Sequence, residues 1–217
     1  MTLPKQDSYF SELRHRMVES QLRSRGITDE LVLAAMSRVP REQFTPEKYR
    51  DHAYEDHPLP IGAGQTISQP YMVALMLEAL AIRPEDRVLE VGTGSGYVTA
   101  ILTEMAGEVI SVERHTSLAS EARELLNRLG YDRAMVFARD GSQGVAEFAP
   151  YDVILVSAAS DVLPRALVAE LAEGGRMIVP VGFDDSQQLQ LIRMRNGQPG
   201  IQMRELCRFV PLLSGSE

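Results

Sequence analysis

The chain contains 217 residues, of which 44% are hydrophobic, and carries a formal net charge of −8, which suits one globular domain spanning residues 1–217. The acidic excess disfavours broad binding to nucleic acid, because such binding relies on Lys and Arg at the phosphates. Cys207 is the only cysteine and the four histidines have no ligand spacing, so a disulfide framework is excluded and we expect no bound metal.

The sequence begins without a basic cluster followed by an apolar stretch, and no apolar segment approaches the roughly 18 residues that a membrane span requires. A lone cysteine also suits a reducing compartment. We therefore expect a cytoplasmic protein without membrane contact. Nothing in the residues predicts an oligomer, and a monomer is the simplest expectation.

The N-terminal region predicts two helices. Apolar residues recur at helical spacing from Phe10 to Leu22, and Gly26 ends that run. Thr28 is the expected N-cap of the second helix, because a Ser or Thr side chain can accept the unpaired N–H groups of a first turn. Pro40 ends this helix.

Residues 40–70 are rich in Pro, Gly, Asp and His and predict an irregular segment. Pro70 then fits the first turn of a third helix that continues to Leu80. We therefore divide the single domain into a helical N-terminal extension with this segment, residues 1–80, and an α/β core, residues 81–217.

The core alternates short β-rich runs with helical stretches. This alternation predicts a mainly parallel sheet with right-handed crossovers and helices on both faces, as in a Rossmann-like fold. Asn196-Gly197 is a strong hairpin signal and predicts a C-terminal antiparallel hairpin. The predicted strands are 87–91, 108–112, 134–138, 151–157 and 176–181, the predicted helices are 97–106, 116–129 and 163–172, and the hairpin joins 188–195 to 201–210.

A glycine-rich loop carries the strongest local signal. Gly92, Gly94 and Gly96 follow the apolar strand at 87–91 and precede a helix. Glycine can adopt positive φ and lets a ligand lie against bare backbone. The first turn of the helix also offers N–H groups to a carboxylate. This arrangement predicts a site for a nucleoside cofactor.

The glycine spacing selects among nucleoside cofactors. A dinucleotide fingerprint reads G-x-G-x-x-G, and this chain has Tyr97 at its last position. The observed G-x-G-x-G spacing favours S-adenosylmethionine. Glu113 ends the next strand, where its carboxylate can accept hydrogen bonds from a ribose diol. Glu90 lies in the apolar strand and is either structural or a partner of the cofactor's ammonium.

Most of the chain resembles the protein-L-isoaspartate O-methyltransferases. The segment Gly64-Gln65-Thr66-Ile67-Ser68-Gln69-Pro70-Tyr71 is the most specific string of this resemblance. Further matching strings are Val39-Pro40-Arg41-Glu42, Pro58-Leu59-Pro60-Ile61-Gly62, the glycine loop through Tyr97, Val112-Glu113-Arg114, Asp140-Gly141 and Arg208-Phe209-Val210-Pro211-Leu212.

The resemblance implies transfer of a methyl group from S-adenosylmethionine to the α-carboxylate of L-isoaspartyl residues in damaged proteins and peptides. The ester then closes to a succinimide, which starts repair. By resemblance, Ser68 has the active-site role. The cofactor contacts implied are Gln65, Thr66, Ile67, Ser68, Glu90, Gly92, Gly94, Glu113, Arg114, Asp140 and Gly141.

Other interpretations of these residues stay open. Ser68 could instead cap the helix that starts at Pro70, and Asp140-Gly141 is also an ordinary turn pair. A nicotinamide oxidoreductase would share the sheet, and a methyltransferase with another acceptor, such as nucleic acid, would share the cofactor. The chain lacks the aromatic-bearing Pro-Pro motif of amino-methylating enzymes after its strand at 151–157. A cofactor-binding module without enzymatic activity is the third alternative.

Overall fold

A seven-stranded sheet forms the centre of the structure, a computed structural model that describes residues 4–183 and 186–215. The strand order is β5-β4-β3-β6-β7-β8-β9; the first five strands run parallel, and β8 and β9 are antiparallel. The predicted fold class is therefore confirmed. The strands are β3 (Arg87–Val91), β4 (Glu108–Glu113), β5 (Ala134–Ala138), β6 (Tyr151–Val156), β7 (Leu171–Val181), β8 (Gln187–Arg195) and β9 (Gln198–Cys207).

Helices join the parallel strands and also form the N-terminal region. Helix α4 follows β3, and α5 follows β4, as the alternating pattern predicts. The strand order reverses between β3 and β6, which creates a crevice at the carboxyl ends of these strands. The helices are α1 (Pro4–Met17), α2 (Glu30–Arg38), α3 (Pro70–Leu80), α4 (Tyr97–Met105), α5 (Thr116–Leu129) and α6 (Arg165–Ala169).

The segment between α2 and α3 contains more regular structure than the sequence predicts. Two 3₁₀ turns, Arg41–Phe44 and Glu47–His52, precede a two-stranded hairpin of β1 (Leu59–Gly62) and β2 (Gln65–Ile67). Gly62, Ala63 and Gly64 all have positive φ at its turn. The strands contain only four and three residues, too short for alternation to reveal them.

The predicted N-cap of α2 is wrong by one residue. Asp29 is the N-cap, and its Oδ1 accepts hydrogen bonds from the N–H groups of Leu31 (2.9 Å) and Val32 (3.3 Å). The N–H of Thr28 instead donates to Oε1 of Glu78 on α3, at 2.6 Å. The sequence could not distinguish two adjacent capping residues, because the partner of Thr28 is 50 residues away.

The predicted helix at 163–172 is also too long. Helix α6 ends at Ala169, and Leu171 already pairs with Tyr151 of β6 at the start of β7. A Cβ on Gly175 would lie 2.8 Å from the carbonyl oxygen of Ala172 and 3.0 Å from that of Tyr151. The close pairing of these strands therefore requires glycine, and pairing overrides the local helical pattern.

The N-terminal extension and the α/β core share one hydrophobic cluster. Met17, Leu33 and Leu77 are buried together with Ile101 and Val153 of the core. Beneath α3, Arg176 of β7 donates to the carbonyl oxygens of Leu80 and Ala81 and pairs with the buried Asp86. The extension is thus fixed against the sheet. No helix within the described ranges is long and apolar enough to cross a membrane.

Candidate active site

A cavity lies in the crevice at the carboxyl ends of β3, β4 and β6. Its empty space amounts to about 780 Å³, part of which is open to solvent. The glycine loop and the end of β4 form one side, and β2 with the residues that follow it forms another. The C-terminal segment, residues 210–213, forms a third. Such a position is where α/β folds bind nucleotides.

The glycine loop has the backbone geometry that its sequence predicts. The φ angles of Gly92, Gly94 and Gly96 are +98°, +53° and +87°. A Cβ on Gly94 would also approach Cδ1 of Ile61 to 3.2 Å. Gly96 is the N-cap of α4 and supplies no capping side chain, so the first turn of this helix faces the cavity region with bare backbone. The loop thus fits the carboxylate of a methionine group.

Glu113 lies in the wall of the cavity and holds the glycine loop. Its side chain is 5% exposed, and Oε2 accepts a hydrogen bond of 2.9 Å from the N–H of Gly94. Oε1 accepts a hydrogen bond of 3.0 Å from the N–H of His115. Each carboxylate oxygen can accept a second hydrogen bond. Glu113 can therefore bind a ribose hydroxyl while it holds the loop.

Glu90 lies behind the loop rather than in the cavity wall. It is fully buried, and Oε2 accepts hydrogen bonds from the hydroxyls of Thr99 (2.5 Å) and Ser111 (2.7 Å). Ser111 in turn bonds the hydroxyl of Thr93 in the loop. Burial raises the pKa of Glu90 to about 7. Its position favours the structural role over the predicted contact with the cofactor.

Asp140 and Gly141 occupy different environments. Gly141 lines the cavity, and a Cβ there would lie 2.6 Å from Cγ2 of Val112 and 2.8 Å from Cγ1 of Val91. Asp140 lies outside the lining and accepts hydrogen bonds from the N–H groups of Ser142 (2.8 Å) and Gly215 (2.7 Å). The predicted adenine contact of Asp140 therefore competes with its role as an anchor for the C-terminal segment.

The C-terminal segment forms one side of the cavity, and the site residues predicted from the sequence do not include it. Nε of Arg114 donates to the carbonyl oxygen of Gly215 at 3.0 Å. The N–H of Leu212 donates to the carbonyl oxygen of Ala159 at 2.6 Å, and Gln187 binds both main-chain groups of Phe209. The motif at 208–212 was the only signal in the sequence that pointed to this segment.

Gln65, Thr66, Ile67 and Ser68 all line the cavity, as the sequence predicts for their region. Ser68 does not cap α3: the N-cap is Gln69, with no side-chain cap. Within the described ranges, the Ser68 hydroxyl forms no hydrogen bond and is available to a ligand. These observations exclude the capping alternative for Ser68.

A second, wider cleft begins on the other side of Ser68. Its empty space is about 1250 Å³, and it shares Thr66, Ser68, Ser157 and Val210 with the first cavity. Its remaining walls are largely apolar and include Pro58, Met72, Leu206 and Phe209. Ser68 thus lies where the two cavities meet. No cluster of His, Cys, Asp or Glu suited to a metal occurs in residues 4–183 and 186–215.

The glycine loop follows β3, and the acidic Glu113 ends β4 beside it. With the cavity at the carboxyl ends of these strands, they define a methyltransferase that uses S-adenosylmethionine. The model of one family, protein-L-isoaspartate(D-aspartate) O-methyltransferase, matches residues 13–217. The chain belongs to this family. It is 54% identical over 200 residues to the protein-L-isoaspartate O-methyltransferase of Koribacter versatilis, covering 92% of this chain and 90% of that protein.

Two further relatives agree. The protein-L-isoaspartate O-methyltransferase of Methanoculleus marisnigri is 52% identical over 201 residues, covering 92% of this chain and 91% of the relative. A Plasmodium falciparum structure assigned to the same enzymes and solved with S-adenosyl-L-homocysteine is 31% identical, with a TM-score of 0.81, and the match covers 92% and 98% of the two chains. The resemblance read from the sequence is confirmed.

Proposed function

We propose that the reaction of the family takes place at Ser68, where the two cavities meet. The chain transfers a methyl group from S-adenosylmethionine to the α-carboxylate of L-isoaspartyl residues in proteins and peptides, which starts repair through a succinimide. One observation supports Ser68 as the site of the reaction. Its hydroxyl forms no hydrogen bond within the described ranges, and Ser68 lines both the first cavity, beside the glycine loop, and the second cleft.

The first cavity holds the methyl donor. When bound, S-adenosylmethionine supplies a sulfonium methyl group that leaves as a new carbon–oxygen bond forms on the acceptor, giving S-adenosylhomocysteine and a methyl ester. Gly92 and Gly94 would face its methionine part with bare backbone, and Glu113 would accept a hydrogen bond from its ribose. Gly141 and Arg114 border the adenine side, and the residues from Gln65 to Ile67 close the cavity.

The acceptor needs orientation rather than activation. An isoaspartyl α-carboxylate has a pKa of about 3.5, as at a chain terminus, so at neutral pH it is already an anion. No general base is required to prepare it. The Ser68 hydroxyl donates one hydrogen bond that fixes the carboxylate while leaving its charge in place. Fixing two reactants in line can lower the barrier by up to about 7 to 11 kcal/mol.

The second cleft suits a polypeptide rather than a small acid. Its apolar walls at Met72, Leu206 and Phe209 offer contacts to side chains beside the modified residue. Leu206 is 76% exposed, so this wall continues onto the open surface of β9. A chain can therefore enter the cleft from solvent and extend beyond it.

The experiment that tests this function measures transfer of a radiolabelled methyl group to two peptides that differ only in an isoaspartyl or an aspartyl linkage. We expect labelling of the isoaspartyl peptide alone, as an ester that is lost on mild alkaline treatment. Duplex DNA and RNA serve as competing acceptors. Label that enters nucleic acid or both peptides equally would overturn the assignment.

Four finer properties complete the proposal. We infer a cytoplasmic monomer that folds as one domain and acts without nucleic acid, which the single cysteine, the acidic net charge and the shared hydrophobic cluster support. Light scattering across a range of concentrations tests the monomer, and one cooperative unfolding transition tests the single domain.

A further inference from the structure

A fully buried arginine, Arg41, contacts the main chain of Ser68 from the N-terminal region. It begins the 3₁₀ turn Arg41–Phe44 and has no exposed surface. Its Nη2 donates to the carbonyl oxygen of Ser68 at 2.7 Å, and its Nε donates to that of Ala53 at 2.7 Å. The two donors lie on one edge of the planar guanidinium, which therefore joins two separate segments at a fixed spacing.

The environment of Arg41 is unusual for a buried cation. Buried charges are ordinarily paired, because an isolated one is costly in a low-dielectric interior. Within the described ranges, Arg41 pairs with no carboxylate, and the adjacent buried Glu42 is bonded by the hydroxyl of Tyr54 instead. Nη1 of Arg41 and the hydroxyl of Tyr97 are both buried, and neither makes a hydrogen bond of good geometry among the described residues, although the guanidinium interacts electrostatically with this hydroxyl.

Arg41 also contacts the helix that follows the glycine loop. Its Cζ lies 4.8 Å from the centroid of the Tyr97 ring. Tyr97 is the first residue of α4 and lines the first cavity, called the donor cavity because it is proposed to hold the methyl donor. The same guanidinium thus touches a residue at the acceptor junction and a residue beside the donor loop.

We propose that Arg41 is a positioning residue for methyl transfer: its guanidinium fork fixes the main chain of Ser68 relative to α4, and so sets the Ser68 hydroxyl at the junction of the two cavities. This inference rests on the proposed function of Ser68. Two hydrogen bonds and the contact with the Tyr97 ring hold Arg41 in place, so the position of α4 determines the position of Ser68 through this side chain. Lysine keeps the charge but cannot place two donors on one rigid edge.

The first test is Arg41→Lys, with Arg176→Lys as the matched control. Arg176 is also buried and donates to the main-chain carbonyl oxygens of Leu80, Ala81 and Asp152, but it pairs with Asp86 and lies beneath α3, away from both cavities. Well below both unfolding temperatures, we expect kcat/KM for the isoaspartyl peptide to fall about tenfold or more in Arg41→Lys and to change less than twofold in Arg176→Lys. The Kd of S-adenosylhomocysteine should stay within about twofold of the wild type in both.

The second test is a double-mutant cycle with Ser68→Ala. If Arg41 acts through the Ser68 hydroxyl, Arg41→Lys should have little effect once that hydroxyl is absent, so the two losses are far from additive. If Arg41→Lys does not fold, Arg41→Met takes its place in the cycle, because it removes the unpaired buried charge. Additive losses, or a loss of coenzyme binding that matches the loss of turnover, would overturn the proposal.

The two proposals fail in different ways. If the wild-type chain does not methylate the isoaspartyl peptide, the proposed function fails and the cycle cannot be measured. If the wild type is active and Ser68→Ala is impaired, but Arg41→Lys behaves like Arg176→Lys, only the role of Arg41 is refuted.

Discussion

Oε2 of Glu113 accepts a hydrogen bond of 2.9 Å from the main-chain N–H of Gly94, so the acidic residue at the end of β4 directly holds the middle of the glycine loop. The same side chain lines the donor cavity and is almost entirely buried. It therefore links the shape of the loop to the binding of the ribose.

Glu113→Gln should weaken binding of S-adenosylhomocysteine. An amide keeps only one acceptor oxygen, so either Gly94 or His115 loses its partner and the ribose loses a charged acceptor. Hydrogen bonds to charged groups contribute about 1.5 to 3 kcal/mol, and we expect a Kd higher by roughly ten- to a hundredfold. Calorimetric titration measures it. Glu108→Gln, at the half-buried start of the same strand, where the side chain pairs with Arg87 away from the cavity, is the control, and equal affinities in both variants would remove Glu113 from the site.

Ser68→Ala should lower turnover of the isoaspartyl peptide without changing coenzyme affinity. The hydroxyl makes no hydrogen bond within the described ranges, so its loss should leave the fold intact. Loss of one hydrogen bond to a carboxylate predicts a fall in kcat/KM of roughly ten- to a hundredfold. Ser37→Ala on the exposed face of α2 is the control. Steady-state kinetics with saturating donor decide the point, and unchanged turnover would discard this role of Ser68.

Glu90→Gln should change how the stability of the protein depends on pH. Burial raises the pKa of Glu90 to about 7 from a usual value of 4.5. Between these values the unfolded chain loses a proton that the folded chain keeps, so the free energy of unfolding falls as the pH rises and this loss is complete above the folded pKa. Gln resembles the protonated carboxyl and does not titrate.

The stability of Glu90→Gln relative to the wild type should therefore increase between pH 5 and pH 8, by at most about 3 kcal/mol. Urea denaturation at pH 5, 6, 7 and 8 measures this difference. Glu124→Gln, on the exposed face of α5, should show none of it. A stability difference that does not vary with pH would show that Glu90 is ionised throughout the range.

Gln187→Ala should loosen the C-terminal segment over the donor cavity. Nε2 of Gln187 donates to the carbonyl oxygen of Phe209 at 3.0 Å, and Oε1 accepts from the N–H of Phe209 at 2.6 Å. Removing both bonds leaves two main-chain groups without partners, which costs about 1 to 3 kcal/mol each if they stay buried. Gln188→Ala is the control, because the Gln188 side chain donates to the carbonyl oxygen of Arg204 and not to Phe209. We expect lower thermal stability and faster hydrogen exchange at residues 209–212 in Gln187→Ala than in this control. Equal exchange in the two variants would contradict this role.

Local motifs predicted the positive φ angles of the glycine loop and the position of Glu113 beside it. Gly92, Gly94 and Glu113 act through their neighbours on consecutive strands, so spacing along the sequence is enough to bring them together. The parallel sheet follows from the alternation of strands and helices, because each crossover depends on residues that are close in sequence, and the terminal hairpin follows from Asn196-Gly197.

The parts that depend on distant pairs could not be read from the sequence. Gly215 binds Asp140 from 75 residues away, and Arg41 binds the main chain of Ser68 from 27 residues away. Neither contact has a periodic pattern, and a main-chain partner, whether donor or acceptor, places no requirement on residue type. The predicted N-cap of α2 and the predicted end of α6 were wrong for the same reason. Thr28 binds the distant Glu78 instead of capping α2, and the pairing of Leu171 with Tyr151 replaces the end of the predicted helix.

The central claim is that donor and acceptor meet at Ser68, and a crystal structure of the chain with S-adenosylhomocysteine and an isoaspartyl peptide tests it most directly. We predict the coenzyme sulfur in the cavity between the glycine loop and β2, and the α-carboxylate of the isoaspartyl residue within hydrogen-bonding distance of the Ser68 hydroxyl. A coenzyme bound outside this cavity, or a carboxylate that contacts the protein away from Ser68, would contradict the account.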